Sequence, residues 1–170
     1  DTIYKNKSVI YDYLNKKYDT FISYLWYCDY SFDKYEDFYV LAYQNGKWEP
    51  FVMRASFWTI SKSKDNLEKV TETPLQFKKI SADSLLKYWT EQGLWAFKDD
   101  SINCRKKIGP DGGEWNVRVS DQCDAIIEIS NKRKYDVLKS DAPDYYQNKV
   151  MYVKQREQFL NCIKRYMELF

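Results

Sequence analysis

The stretch "EDFYVLAYQNGKWEPFVMRA", residues 36–55, constrains the fold more than any other part of the chain. Asn45-Gly46 stands between two apolar runs, and an Asn-Gly pair in that setting readily takes the positive φ angles of a two-residue hairpin turn. A two-residue turn sets the register. Tyr43 then faces Trp48, Leu41 faces Pro50 and Tyr39 faces Val52, while the opposite face joins Val40 with Phe51 and Phe38 with Met53. Pro50 has no N–H to give, so its strand is expected at an edge, or with the missing donor turned outward.

The flanking segments read as follows. Ile10, Leu14, Tyr18, Phe21 and Leu25 recur at helical spacing, but the β-branched residues around Thr20 and Ile22 predict that the helix stops near Lys17. "SKSKDNLEKVTET" (61–73) is polar and reads as an exposed loop or an irregular strand pair. Ser81 is a good N-cap for a second helix, with Asp83 in its first turn, Leu85, Leu86 and Trp89 as its apolar stripe and Gly93 closing it. "LWAF" (94–97) reads as a short buried strand. "GPDGG" (109–113) is a turn that leads into a meander: "EWNVRVS", "CDAIIEIS" and, after the charged turn "NKRK", "KYDVLK". The last segment is helical, with Val153, Leu160, Ile163, Met167 and Phe170 along one side. The expected class is α+β, an antiparallel sheet built from the hairpin and the C-terminal meander, with helices packed on one face. At 170 residues the prior is a single domain spanning 1–170.

Four cysteines staple this frame in the expected fold: Cys28, Cys104, Cys123 and Cys162. No C-x-x-C is present, so zinc-ribbon and thioredoxin-type readings have no support, and an even count points to disulfides in an oxidising compartment; four buried thiols are the alternative. Four cysteines allow three connectivities. Cys104 and Cys123 flank the "GPDGG" turn, which suggests that they pair and leaves Cys28 to join Cys162. The sequence starts at "DTIYKNK", as a mature exported chain does once its signal peptide has gone. The expected location is therefore periplasmic or extracellular. No window approaches the roughly 20 apolar residues of a membrane-spanning helix.

Composition narrows the chemistry. The chain contains no histidine, which removes Ser-His and Cys-His machinery and histidine-ligated metals. The 27 basic and 25 acidic residues are mixed along the chain, so the concentrated positive charge of a nucleic-acid binder is missing. "GPDGG" lacks the Lys-Ser/Thr of a P-loop, and "DYSFDKYED" lacks the spacing of a calcium loop. No cofactor or metal is expected. Carboxylates cluster at Asp29, Asp33, Glu36 and Asp37, and again at Asp121, Asp124 and Glu128. Such clusters between strands are more often solvated turns than the spaced pair of a glycosidase.

Aromatics are the remaining resource. The first 43 residues hold ten of the sixteen tyrosines, more than one helix face can hide. Within "DYSFDKY", Tyr30, Phe32 and Tyr35, rimmed by Asp29, Asp33 and Glu36, are the expected partner-binding residues. The back half, "GLWAF…DGGEW…IIEISNKRKYDVLKSDAPDYY…REQFLNCIKRYMELF", resembles small exported proteins of Gram-negative bacteria, among them periplasmic immunity and inhibitor proteins of toxin systems. The resemblance implies a non-enzymatic protein that neutralises a toxin or enzyme by occlusion, and it assigns no role to a numbered residue. The alternative is a carbohydrate-binding or carbohydrate-cleaving module with Trp48 and Trp58 as an aromatic platform beside paired carboxylates.

Overall fold

A computed structural model describes residues 10–28, 35–57, 67–98, 102–103, 106–108, 110–116 and 123–170. Its centre is a six-stranded antiparallel sheet. The strands are β1 (Thr20–Cys28), β2 (Tyr35–Gln44), β3 (Lys47–Phe57), β4 (Leu67–Pro74), β7 (Cys123–Asn131) and β8 (Lys134–Asp141), in the order β4-β3-β2-β1-β7-β8. β5 (Lys106–Ile108) and β6 (Glu114–Asn116) form a separate two-stranded sheet, with a turn at 110–111 between them. The helices are α1 (Tyr11–Lys17), α2 (Ala82–Glu91), the short α3 (Pro143–Tyr145), which runs on into a π-helical turn over Tyr146–Val150, and α4 (Lys154–Met167). None is long and apolar enough to cross a membrane.

The hairpin has the expected register, from Gln44↔Lys47 through Tyr43↔Trp48 and Leu41↔Pro50 to Phe38↔Met53. Asn45 and Gly46 take φ of 52° and 80°, the left-handed pair that only such a turn sequence tolerates well. β3 is an inner strand, because the polar run read as loop or irregular strand supplies β4 as the edge. The β3–β4 ladder stops at Phe51↔Pro74, and the Pro50 carbonyl accepts from Leu75 N at 2.9 Å just past it. The absent donor of Pro50 therefore points to the side where the ladder has ended.

α1 ends at Lys17, as the β-branched run requires, and Phe21 and Leu25 belong to β1. That strand lies in the middle of the sheet and is buried on both sides. Its even positions, Ile22 and Tyr24, join Leu41, Ile127 and Leu138 under α2 and α4; its odd positions, Phe21 and Leu25, join Phe38, Val40, Met53 and Ile126 under Ile10, Tyr11 and Leu14. Helices thus cover both faces, not one. A central strand buried on both sides needs a layer on each side to exclude water.

The α2/α4 side is built of rings. Trp89 stacks on Tyr166 at 5.5 Å, Tyr166 contacts Phe170 at 5.3 Å, and Phe170 contacts Tyr39 at 5.3 Å. Their polar tips bond to backbone: Trp89 Nε1 donates to Cys162 O at 3.0 Å, and the Tyr166 hydroxyl lies 2.8 Å from Ile22 O and 3.0 Å from Tyr39 O. Of the expected side, Ile163 and Phe170 are buried, whereas Val153, Leu160 and Met167 are only partly so, and Arg156, Phe159, Cys162 and Tyr166 complete the buried side of α4. Ser81 caps α2 as expected, accepting from Ser84 N. "LWAF" is not a strand. Gly93 at φ 74° reverses the chain at the helix end, and Leu94–Ala96 coil into one 3₁₀ turn that leaves Trp95 exposed.

The cysteine pairing differs from expectation. Cys28 is bonded to Cys123, and Cys162 carries a free, buried thiol. Cys28 and Cys123 are cross-strand neighbours at the end of the β1–β7 ladder, with Cα atoms 4.1 Å apart. The β5–β6 hairpin exists, but Cys123 lies beyond it as the first residue of β7. Cys162 faces the ring cluster from α4, where burial pushes its thiol up to about 12 and keeps it protonated. Cys104 lies outside the described residues.

Candidate functional site

β1 and β2 pair from Thr20↔Tyr43 to Tyr24↔Tyr39. Both strands then run on with other partners, β1 to Cys28 against β7 and β2 back to Tyr35 against β3. At this end of the sheet strand alternation puts Trp26 two positions beyond Tyr24, on the α2/α4 side, and puts Asp37 and Tyr35 before Tyr39 on that same side. The helices do not shield these positions: Trp26 is 40% exposed and Tyr35 54%. Between Tyr35 and the helix-covered region, Arg54 on β3 sits directly opposite Asp37 and grips it with two bonds, Nε to Oδ1 and Nη2 to Oδ2, both 2.6 Å. The guanidinium holds the Asp37 carboxyl below its usual range.

Glu36, one residue on, projects to the opposite, α1 side. It is half-buried there, and no hydrogen bond or ion pair reaches it among the described residues. Burial pushes its carboxyl up to about 7. Tyr35 and Glu36, placed together by sequence proximity, are therefore on different surfaces. Asp29, Tyr30, Phe32 and Asp33 lie outside the described residues, as does Trp58; residues 29–34 join the disulfide-bonded end of β1 to Tyr35.

The second carboxylate cluster is structural where it is described. Glu128 is buried on the α1 side and accepts from Ser23 Oγ at 3.0 Å and Tyr135 Oη at 2.9 Å. Asp124 is ion-paired with Lys139 at 2.9 Å, and Asp121 lies outside the described residues. "NKRK" is a tight turn in which Asn131 Oδ1 accepts from the Arg133 and Lys134 amides. Among the described residues no group of acidic or cysteine side chains converges on a metal position.

At the other end of the β2–β3 hairpin an open cavity of about 710 Å³ lies between the turn and the start of α2. Tyr43 and Trp48, paired across the hairpin with centroids 5.1 Å apart, and Phe77, which is 39% exposed, supply its aromatic surface. Thr20, Lys47 and Asp83 add polar groups. Comparison with protein-family models, curated proteins and solved structures finds no match to this chain.

Trp26, Arg54 and Phe77 were missed as candidates. Trp26 stood in a stretch whose period did not decide between helix and strand; read as a strand, it falls on the face of Ile22 and Tyr24. Arg54 was signalled by the hairpin register, which opposes it to Asp37. Phe77 lies in the linker between β4 and α2, where no periodicity applies.

Proposed function

We propose that this is a non-enzymatic exported protein that binds another protein and blocks it, in the manner of an immunity or inhibitor protein. The observation that carries the reading is the open strand end: Trp26 and Tyr35 exposed on one sheet face beside the Asp37–Arg54 pair. Tryptophan, tyrosine and arginine are the residues most enriched at interface hot spots, and exposed rings that no described element covers lose water when a partner docks. The adjoining "DYSFDKY" segment adds Tyr30 and Phe32 in sequence, with Asp29 and Asp33 available to speed association with a basic partner. The Cys28–Cys123 disulfide supports an oxidising compartment and braces β1 where the patch begins.

The experiment is a titration of the purified chain against the purified product of the neighbouring toxin or enzyme gene, followed by calorimetry and by the partner's own activity. The expected result is a one-to-one complex that silences the partner, weakened at least about tenfold by Trp26→Ala or Tyr35→Ala. No complex at about 10 μM, or a complex indifferent to both substitutions, refutes the reading.

A further inference from the structure

The cavity at the hairpin turn is separate from that patch, at the opposite end of β2 and β3. Its lining has three properties that together define a ligand class. Tyr43, Trp48 and Phe77 provide flat apolar surface without closing over it, so the ligand must itself have a flat apolar face. Thr20, Lys47 and Asp83 provide donors and acceptors at the margin, so its edges must be rich in hydrogen-bonding groups of both kinds. Lys47 and Asp83 carry opposite charges, so the lining has no net preference for an anion or a cation. A volume of about 710 Å³ falls in the range of small-molecule sites.

A neutral sugar meets all three requirements: its C–H face is apolar, its hydroxyls donate and accept, and it carries no charge. From this geometry we infer that the cleft between the Asn45-Gly46 turn and α2 is a binding site for a short neutral oligosaccharide, stacked on Trp48 and Phe77. Ser81 contributes less than its position suggests, because its side chain is already engaged by Ser84 N. Asp83, exposed in the first turn of α2, is the acceptor for sugar hydroxyls. Asp83 is the single carboxylate among the described lining residues, whereas glycoside hydrolysis in its usual form needs two, so the inferred role is binding.

The test is calorimetric titration of the full chain with cellopentaose, maltopentaose and chitotetraose, with two-dimensional NMR following the Gly46 amide and the Trp48 indole. At least one glycan is expected to bind with a Kd between about 10 μM and 1 mM while shifting those two signals. Phe77→Ala removes a part-exposed ring that belongs to neither core cluster, and is expected to weaken binding at least about tenfold; Asp83→Asn is expected to weaken it about threefold or more. Trp95→Ala, at the far end of α2, and Trp26→Ala are expected to leave glycan binding unchanged, whereas Trp26→Ala weakens the protein complex. No saturable binding of any of the three up to about 10 mM, or binding that Phe77→Ala leaves intact, overturns the site without touching the protein-binding reading.

Discussion

The two faces of the central sheet solve the same burial problem with different chemistry. Under α2 and α4 the interior is aromatic, and three of its large polar side chains bond to backbone carbonyls: the Trp89 indole to Cys162, the Tyr166 hydroxyl to Ile22 and Tyr39, and the Arg156 guanidinium to Ile102 and Met151. Under α1 the strands place Glu36, Glu72 and Glu128 on one side, each at least partly buried. Glu128 has hydroxyl donors, Glu72 has the Lys17 ammonium and Tyr18, and Glu36 has none among the described residues. A ring tip keeps its hydrogen bond at any ordinary pH, while a buried carboxylate holds its energy in a charge that pH can remove. The contrast predicts that lesions on the ring face are large and insensitive to pH, and that those on the glutamate face are smaller and conditional.

The largest effect is expected from Trp89→Ala. It empties the volume between α2 and α4, breaks the stack with Tyr166 and strips a donor from Cys162 O, for a loss of about 3–5 kcal/mol that is the same at pH 5 and pH 8. Chemical denaturation at both pH values measures it; a loss confined to one pH breaks the comparison. On the other face, Glu128→Ala leaves the Ser23 and Tyr135 hydroxyls without this acceptor and is expected to cost about 2–4 kcal/mol. Adding Ser23→Ala and Tyr135→Phe to that variant should recover part of the loss, because it removes the two hydroxyls that donate to Glu128. A triple variant no more stable than the single one would show that Glu128 acts through other contacts.

Where local chemistry decides, this architecture was legible in the residues. Asn45-Gly46 dictated a register correct at every pair, Ser81 marked its helix start, and the β-branched run after Lys17 ended α1. What failed depends on contacts distant in sequence. Ile10, Leu14, Tyr18, Phe21 and Leu25 do share one side of the molecule, but the last two reach it from a strand, where alternation serves the same face. Cys28 and Cys123 are 95 residues apart and meet because β1 pairs with β7, a pairing no turn announces. Two stripes of helical spacing run along α4, and the buried one includes Arg156 and Tyr166, whose polar ends find backbone acceptors only in the folded chain. The candidate site was half legible. Tyr35 is exposed as expected, whereas its separation from Glu36 and the exposure of Trp26 depend on strand facing and on how far the helices reach.

Glu36 gives the sharper test of the contrast. Its carboxyl is raised from an ordinary value near 4.5 to about 7, with burial as the cause. Between those two values the native chain holds a proton that the unfolded chain has released, so stability falls as pH rises from about 4.5 to 7 and levels off above. Glu36→Gln keeps the shape and removes the charge. It is expected to leave stability at pH 4 nearly unchanged and to raise it by about 1–2 kcal/mol at pH 8, flattening the pH dependence in that window. An unchanged slope would mean that the proton uptake belongs to another group.

The smallest effect is expected at Lys17, which is 44% exposed and pairs with Glu72 at the margin of the glutamate face. Desolvation is the first influence on its ammonium and acts to lower it, but Glu72 outweighs that influence and holds it above the ordinary lysine range. Because the pair is open to water on the lysine side, Lys17→Ala should cost no more than about 1 kcal/mol at low salt and less at high salt. Removing the lysine leaves Glu72 against the Tyr13 and Tyr18 hydroxyls on a partly buried strand, with Oε1 without a hydrogen bond among the described residues. Lys17→Ala with Glu72→Gln should therefore be more stable than Lys17→Ala alone. If the double variant is instead the weaker of the two, Glu72 is held by its tyrosines rather than by charge, and the glutamate face is closer to the ring face than the contrast allows.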